Sequence, residues 1–382
     1  MSDIQLYSFD ECNTIPFPST YEGEYARGFF EAFMKEGAKK FISNIETQIY
    51  CLKIDDHFFP VTVNKAEYDN SYVTSPFGII KYAQEELKRF DHWFLTPLLK
   101  PILRIIGKFL KKGKINQVVS VNNWLLSTNL YPQIIPKQIS EAVVLLQKRF
   151  PSHCILWRSI NRTYPHNLLE HFKELPCRLL FSRQIYFYNP FNKNSLNSKQ
   201  RWNIKNDRKL IQLNDYEVVT GDKIKTEDIP RIKELYDLLY LKKYTALNPQ
   251  FTEEFIRLAI DKKLLTIIAI RKNRKIDGII GYFTKENVMT TPLLGYDTAL
   301  PQKVGLYRML TAICIDEADR NRILLHHSSG AAHFKRVRGM TADREYTAVF
   351  HKHLFKRRQI IWALLTSFFN KVGEPILTQF KL

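Results

Sequence analysis

The amino-acid sequence predicts an α/β protein made of two successive halves, each a mixed β-sheet with helices packed on it. The 382 residues are enough for two hydrophobic cores, and 45% of them are hydrophobic. Apolar runs of strand length alternate with amphipathic runs of helical period along the chain. A polar, basic segment at residues 189–214 separates two groups of such runs, and we interpret it as the crossover between the halves.

The first half, residues 1–188, contains a predicted β-hairpin. Residues 48–54 and 58–63 are apolar runs of strand length, and the polar residues 55–57 form the turn between them. The other elements follow from apolar alternation for strands and from a 3.6-residue period for helices. These are strands at 72–76, 118–126, 154–157, 177–182 and 184–188, and helices at 82–95, 136–149 and 167–173.

The second half, residues 215–382, has a different order of elements. It begins with one strand and two helices, and a second hairpin with Asn273 in its turn follows. A further strand, a helix and a short strand come next. The predicted elements are strands at 216–220, 265–271, 275–283, a run ending at Tyr296, and 323–326, and helices at 228–241, 251–262 and 306–318.

The charge and the cysteines narrow the class of protein. The formal net charge of +19 favours an anionic partner, such as nucleic acid, an anionic membrane, an acidic carrier protein or a phosphate-rich cofactor. The five cysteines have no CxxC spacing, which favours reduced thiols, and we expect no metal site. The acidic N-terminus lacks a secretory signal, and no apolar run approaches the ~18 residues of a membrane span. We therefore expect a cytoplasmic protein.

Residues 291–339 are the most informative stretch. An apolar strand ends at Tyr296, a short polar loop runs over residues 301–305, and a helix begins at Leu306. A helix start directs free backbone N–H groups and the positive end of the helix dipole at one spot, which suits a phosphate or pyrophosphate. The strand at 323–326, with His and Ser at its end, then completes a predicted acyl-transfer site.

The loop in this stretch resembles the Q/R-x-x-G-x-G/A motif of the GNAT acyltransferase superfamily, although Tyr307 stands where a small residue is usual. Gly330, Lys335 and Gly339, and the basic residues 199–209, are similar to patterns of its two-domain, FemAB-like branch. The likeness covers about residues 195–355, and residues 40–190 match in outline. It implies two tandem GNAT-like domains, and it implies that the loop grips the pyrophosphate of coenzyme A. The residues assigned to this contact are Gln302, Lys303, Val304, Gly305, Leu306, Tyr307 and Arg308.

Acyl transfer to an amine needs a proton acceptor and a donor to the leaving group. Asp297 ends the central strand, and His327 lies just after the next strand, so both are candidate bases. Ser328 and Ser329 are candidate donors to a thiolate or an oxyanion. A covalent Ser-His-Asp mechanism is disfavoured because the chain has no G-x-S-x-G elbow.

The acceptor side is predicted from position and from residue type. Tyr240, Lys243, Tyr244 and Asn248 follow a helix in the region where similar enzymes bind the acceptor. Lys335 follows a glycine-containing turn, from which it could reach a phosphate or carboxylate, or simply lie on a solvated basic face. The amide-rich residues 122–129 leave two alternatives, which are to lock the first half or to line a groove between the halves.

Two basic amphipathic segments are candidate contact sites for a membrane. The first covers residues 97–115, and the second is a C-terminal helix beginning near Lys356 and reaching toward Phe380. Basic residues beside Trp, Phe and Leu are typical of a helix that lies on anionic lipid at the inner face of a membrane. The alternative is that both helices pack on the core and extend their Lys and Arg side chains to solvent.

These observations predict an N-acyltransferase whose donor is acyl-coenzyme A or an acidic acyl carrier protein. The acceptor is the amine of an amino acid, peptide, sugar or lipid precursor. One alternative is a tRNA-dependent aminoacyl transferase, which would also use the basic surface. Another is a non-catalytic membrane- or nucleic-acid-binding protein on a degenerate GNAT scaffold, which the departure at Tyr307 favours. The sequence leaves the acceptor, the acyl chain and the oligomeric state open.

Overall fold

The computed structural model describes residues 3–90 and 95–375. Its strands are β1 Ile4–Tyr7, β2 Gln48–Ile54, β3 His57–Asn64, β4 Val118–Val121, β5 Cys154–Ile160, β6 Arg178–Tyr188, β7 Glu217–Thr220, β8 Thr266–Lys272, β9 Lys275–Lys285, β10 Val288–Tyr296, β11 Leu324–His326 and β12 Thr341–Phe350. Its α-helices are α1 Tyr21–Glu36, α2 Ala38–Phe41, α3 Gly78–Phe90, α4 Leu95–Lys112, α5 Pro136–Arg149, α6 Leu168–Lys173, α7 Ser198–Leu213, α8 Ile229–Tyr236, α9 Glu253–Asp261, α10 Leu306–Asn321, α11 Ala332–Arg336 and α12 Lys356–Phe368.

The chain forms two compact units that are not continuous in sequence. The first unit contains the residues up to Phe181 together with Thr245–Gln250 and Tyr346–Gly373. The second unit contains Ser182–Tyr244, Phe251–Glu345 and the described residues from Glu374 onward. The sequence-based boundaries had assigned residues 215–382 entirely to the second half. The difference arises because β12 carries the chain back to the first unit, where it pairs with β5.

The first unit has a mixed sheet. Strands β1, β2, β3 and β4 are antiparallel neighbours. Strand β4 is parallel to β5, and α5 makes the crossover between them. The last part of β12 then pairs antiparallel with β5. The core of this unit is built on aromatic side chains such as Phe59, Trp157 and Phe172.

The second unit repeats this order. Strands β7, β8, β9 and β10 are antiparallel neighbours, β10 is parallel to β11, and α10 makes the crossover. Strand β6 pairs antiparallel with β11. The predicted fold class, mixed α/β with parallel and antiparallel strand pairs and flanking helices in both halves, is therefore confirmed.

The amides of residues 122–129 lie inside the first unit. Asn122 donates to the carbonyl of Leu130 at 3.0 Å, and Asn123 donates to the hydroxyl of Thr62 at 2.9 Å. Asn129 accepts a hydrogen bond from the backbone N–H of Trp124 at 3.0 Å. These buried side chains lock the interior of the first unit, which is the first of the two alternatives.

The predicted strand at residues 72–76 is wrong. The backbone N–H groups of Thr74 and Ser75 both donate to the carbonyl of Ser71, and that of Gly78 donates to the carbonyl of Ser75. These short-range bonds form consecutive turns that lead into α3. Ser, Thr and Pro favour such turns, and this preference outweighed the apolar alternation of the segment.

Candidate functional site

The polar loop of the second unit ends in an uncapped helix start. A 3₁₀ turn spans Gln302–Val304, and Gly305 has φ of 78°, in the left-handed region, immediately before α10. A β-carbon at position 305 would lie 2.7 Å from a methyl group of Leu210, so glycine fits both the backbone and the space. No side chain caps the 16-residue helix that follows. Its first-turn amides are thus available to an anion, as a helix N-terminus requires.

Strands β10 and β11 separate near this loop. Their parallel pairing covers Val288 to Thr290 against Leu324 to His326. Beyond a bulge after Thr290, β10 continues to Tyr296 in register with β9. The residues after His326 instead bond to the chain of β6, because the backbone N–H of His327 donates to the carbonyl of Tyr186 at 2.8 Å. The two strands therefore diverge where β10 approaches the loop.

Three buried polar atoms near this divergence lack a hydrogen-bond partner within the described residues. They are Oγ1 of Thr290, Nε2 of His326 and Nε2 of His327. Thr290 and His326 are partners in the parallel register, so their side chains lie on the same face of the sheet. Buried polar atoms are normally satisfied, so these atoms are candidates for contact with a ligand.

Burial keeps both histidines neutral. Desolvation, together with nearby Arg183, holds the pKa of His326 well below its ordinary value. Desolvation and nearby Lys335 lower the pKa of His327 to about 3. Nδ1 of His326 accepts from the backbone N–H of Ser328 at 3.1 Å, so a neutral ring carries its proton on Nε2. The unpartnered Nε2 of His326 is thus a donor.

Asp297, a predicted base, is held in ion pairs. Its carboxylate accepts from Arg231 at 2.7 Å and from Lys275 at 3.1 Å, and also from the backbone N–H of Ala299 at 3.0 Å. Burial raises its pKa, but these hydrogen bonds outweigh that effect and leave the pKa below its ordinary value. The arrangement gives Asp297 a role in fixing the chain just after β10, where the loop begins.

Lys335 holds the turn that contains the two predicted serines. It is 2% exposed, and its ammonium donates to the carbonyls of His327 at 2.6 Å, Ser328 at 3.3 Å and Ser329 at 2.8 Å. Burial lowers its pKa to about 7. The ammonium therefore lies inside the unit and not on a solvated face, and its contact with an acceptor stays a prediction.

The two serines differ in their surroundings. The hydroxyl of Ser328 accepts from Arg183 at 3.2 Å, and Arg183 also pairs with the buried carboxylate of Glu345 at 2.8 Å. Ser329 is exposed at the following position. Of the two, Ser329 has the more accessible hydroxyl.

Three of the predicted acceptor residues meet the predicted donor loop in one aromatic cluster. Tyr240, Lys243 and Tyr244 lie on a π-helical segment, Asp237–Tyr244, a geometry often found at functional sites. The ammonium of Lys243 donates to the hydroxyl of Tyr296 at 3.2 Å, and the Tyr296 ring lies 6.3 Å from that of Tyr307.

Further ring contacts extend this cluster on both sides. The rings of Tyr240 and Tyr244 are 6.0 Å apart, and that of Tyr307 lies 4.7 Å from Phe334. The Tyr307 ring thus packs against other aromatic rings and against the core of the unit. Asn248 belongs to the first unit, where its side chain donates to the carbonyl of Thr245 at 3.1 Å.

Sequence reasoning missed Asp207. This carboxylate on α7 is 1% exposed and accepts from Arg308 at 2.6 Å through one oxygen and from Arg338 through the other. Arg308 had been predicted to bind the donor, and it remains partly exposed while paired. The available signal was a single acidic residue within the basic run of residues 199–209. Asp207 ties α7 to the first turn of α10.

No family model matches the sequence, and no curated protein matches it. Solved structures do match. A conserved protein of unknown function from Bacteroides thetaiotaomicron aligns over 92% of this chain and 100% of its own, with 10% identity and a TM-score of 0.46. L-PGS from Bacillus licheniformis aligns over 60% of this chain and 78% of its own, with 12% identity and a TM-score of 0.44. A tandem GNAT protein from the clavulanic acid biosynthesis pathway aligns over 91% and 98%, with 7% identity and a TM-score of 0.38. Similarity at this level concerns the fold, and the activity has to be argued from the site.

Proposed function

We propose that the chain is an N-acyltransferase that moves an acyl group from a thioester donor to an amine. The observation that supports this function most strongly is the uncapped start of α10 after Gly305. This helix start follows β10, which has by then diverged from β11. Amides at a helix N-terminus suit phosphate, and the space between diverging strands suits an extended chain. A phosphorylated carrier of an acyl group contains both a phosphate and an extended chain.

In the proposed reaction the amine nitrogen attacks the thioester carbonyl directly. The N–C bond forms, the C–S bond breaks, and the thiolate takes up the proton that the amine releases. The hydroxyl of Thr290 and the Nε2–H of His326 are buried donors available to the carbonyl oxygen. His327 stays neutral, and its pKa of about 3 makes it a weak proton acceptor. The hydroxyl of Ser329 is a further candidate donor.

A phenol of the tyrosine cluster would donate its proton to the thiolate and take up the proton that the amine releases, a relay for which Asp297 is less suited. Burial raises the pKa of Tyr244 and Tyr307, so both phenols keep their protons at neutral pH. Asp297 is already bound by two cations and its pKa is lowered, which leaves it a weak proton acceptor. We therefore withdraw Asp297 as the proposed base and retain it as a positioning residue for the loop.

The donor is acyl-coenzyme A or an acidic acyl carrier protein in this proposal. The basic exposed face of α7 supports a macromolecular donor, because Leu210 of the same helix lies against Gly305 in the loop. Arg201, Lys205 and Lys209 are exposed on that face and would attract an acidic surface. We place the enzyme in the cytoplasm, with the amine of an amino acid, peptide, sugar or lipid precursor as acceptor.

Ligand-induced stabilisation tests the donor site. We expect coenzyme A, acyl-coenzyme A or acyl carrier protein to raise the melting temperature of the full chain, because a ligand of the native state stabilises it. Lys303→Glu places a negative charge beside the amides of α10 and should abolish the shift. The matched control is Lys225→Glu, which changes another exposed lysine of the same unit and should keep the shift. No shift with any of the three donors would exclude the proposed activity.

A tRNA-dependent transferase is the second candidate, and one residue favours it. Trp202 is 63% exposed on α7, between Arg201 and Lys205, and such an indole can stack on an unpaired base. We expect Trp202→Ala to weaken tRNA binding about fivefold or more if this alternative holds, since stacking contributes roughly 1–3 kcal/mol per base. Binding measured by fluorescence anisotropy should also weaken steeply with salt. Equal affinity of the variant and the original chain for tRNA would argue for the thioester donor.

A further inference from the structure

Helix α4 in the first unit has two apolar faces, and only one of them is filled. Leu110 is buried in a cluster with Phe77 and Ile80, and Ile106 packs against the same cluster. The neighbouring stripe consists of Ile102, Ile105 and Phe109, spaced three and four residues apart, and these side chains are exposed. Ile105 alone is 66% exposed. Such an exposed apolar stripe is unusual on the surface of a soluble monomeric protein, and it indicates an interaction surface.

Helix α12 of the same unit repeats this arrangement. Ile361 and Trp362 are buried in the cluster that also contains Leu110 of α4. Ile360, Leu364 and Phe368 recur every four residues on another face and are exposed, and Leu364 is 56% exposed. The two helices are thus attached to one core while each presents a second apolar stripe outward.

The two helices are held together at the end of α4. A β-carbon on Gly113 would lie 2.3 Å from a methyl group of Ile361, so the chain after α4 lies directly on α12. The guanidinium of Arg358 on α12 donates to the carbonyls of Gly113, Lys114 and Gln117, each at 3.1 Å. This buried arginine fixes the relative position of the two helices within the unit.

Both helices carry basic residues and no acidic ones. Neither residues 95–114 nor residues 356–371 contain an aspartate or a glutamate. Several lysines and arginines of these two segments are exposed and form no ion pair within the part of the chain that the structure describes. They are Lys100, Arg104, Lys108 and Lys112 on α4, Lys356 and Arg357 at the start of α12, and Lys371 just beyond it.

We propose that α4 and α12 form a docking surface for an anionic lipid bilayer. Exposed Ile, Leu and Phe side chains can enter the hydrocarbon boundary, and the unpaired cations can contact acidic headgroups. No helix in the described ranges is long and apolar enough to cross a membrane, so the unit would lie on the surface. The two stripes consist of aliphatic and aromatic side chains on helices that carry unpaired Lys and Arg and no acidic residue, and this combination favours anionic lipid over an acidic protein. The proposal is independent of the reaction proposed above.

Vesicle flotation of the full chain tests this surface. We expect binding to vesicles of phosphatidylcholine mixed with phosphatidylglycerol, weaker binding as salt increases, and little binding to phosphatidylcholine alone. The double variant Ile105→Ser/Leu364→Ser should lose about tenfold or more in partitioning, because it removes two exposed apolar side chains that would become buried in the bilayer. Lys108→Glu/Arg357→Glu should lose a similar factor at low salt.

Matched controls lie on α5 of the same unit. Val144→Ser and Lys148→Glu change an exposed apolar residue and an exposed lysine, and both variants should bind vesicles as the original chain does. Circular dichroism and melting temperatures establish that each variant is folded. Absence of binding to the anionic vesicles would overturn the proposal, and so would equal losses in the α5 variants. Loss of binding to an acidic carrier protein or to RNA in the stripe variants, without vesicle binding by the original chain, would also contradict it.

Discussion

Lowering the pH from 7 toward 4 is expected to destabilise the fold by several kcal/mol. Four buried histidines cause this loss. Burial lowers the pKa of His153 and of His351 to about 4, that of His327 to about 3, and that of His326 well below its ordinary value. Each pKa unit corresponds to roughly 1.4 kcal/mol of difference between the protonation states.

The direction of this pH effect on stability follows from how many protons the folded and unfolded states bind. In the unfolded chain these histidines bind a proton as the pH falls below about 6.5, whereas in the folded chain they stay neutral until a lower pH. Between the two pKa values the unfolded state therefore binds more protons, and acid favours it. The stability that the neutral rings contribute is complete above about pH 6.5 and is lost as the pH falls toward their folded values.

Urea denaturation at pH 7, 6 and 5 measures this effect. The variants His153→Gln and His327→Gln each remove one proton uptake, so the loss of unfolding free energy between pH 7 and 5 should be smaller in each. His166→Gln, which replaces an exposed histidine, serves as the control and should keep the original slope. A free energy of unfolding that stays constant from pH 7 to pH 5 would show that these rings are not buried as described.

Local signals account for what the sequence predicted correctly. The loop at Gln302–Gly305 and the start of α10 follow from a glycine before a helical apolar period, and both can be recognised within a few residues. The β8–β9 hairpin follows from two apolar runs around Asn273, which has the positive φ that such turns use. Turn and helix-start chemistry depends on neighbours in sequence and is therefore visible in it.

Contacts between residues that are far apart in the chain could not be predicted from the sequence. Strand β12 was missed because its first half, Thr341–Glu345, is polar, and its pairing with β5 joins positions far apart in the chain. Asp297 was predicted as a base from its place at the end of a strand, but Arg231 and Lys275 reach it from other elements. Lys335 was predicted either to reach the acceptor or to lie on a solvated basic face, whereas in the fold its ammonium donates to three backbone carbonyls. In each case the function of a polar side chain depended on partners that the sequence does not bring together.

Asp207→Ala is expected to destabilise the second unit by about 3–5 kcal/mol, the range found when one partner of a buried ion pair is removed. The change leaves the guanidinium of buried Arg338 without its carboxylate, and it also releases Arg308 in the first turn of α10. Chemical denaturation at pH 7 measures the loss. Asp316→Ala is the control, because it removes a partly exposed partner of Arg208 on the same side of α10 and should cost less than about 1 kcal/mol.

A second variant separates the buried charge from the lost packing. Asp207→Ala combined with Arg338→Met removes both charges, so it should recover part of the stability, since the main penalty is an unpaired charge in the interior. The same double variant still lacks the anchor of Arg308. We therefore expect its stability to return further than its stabilisation by coenzyme A or acyl carrier protein does. If donor binding recovered in full, α10 would be positioned by its packing on the sheet alone. Asp207 would then contribute to stability but not to donor binding.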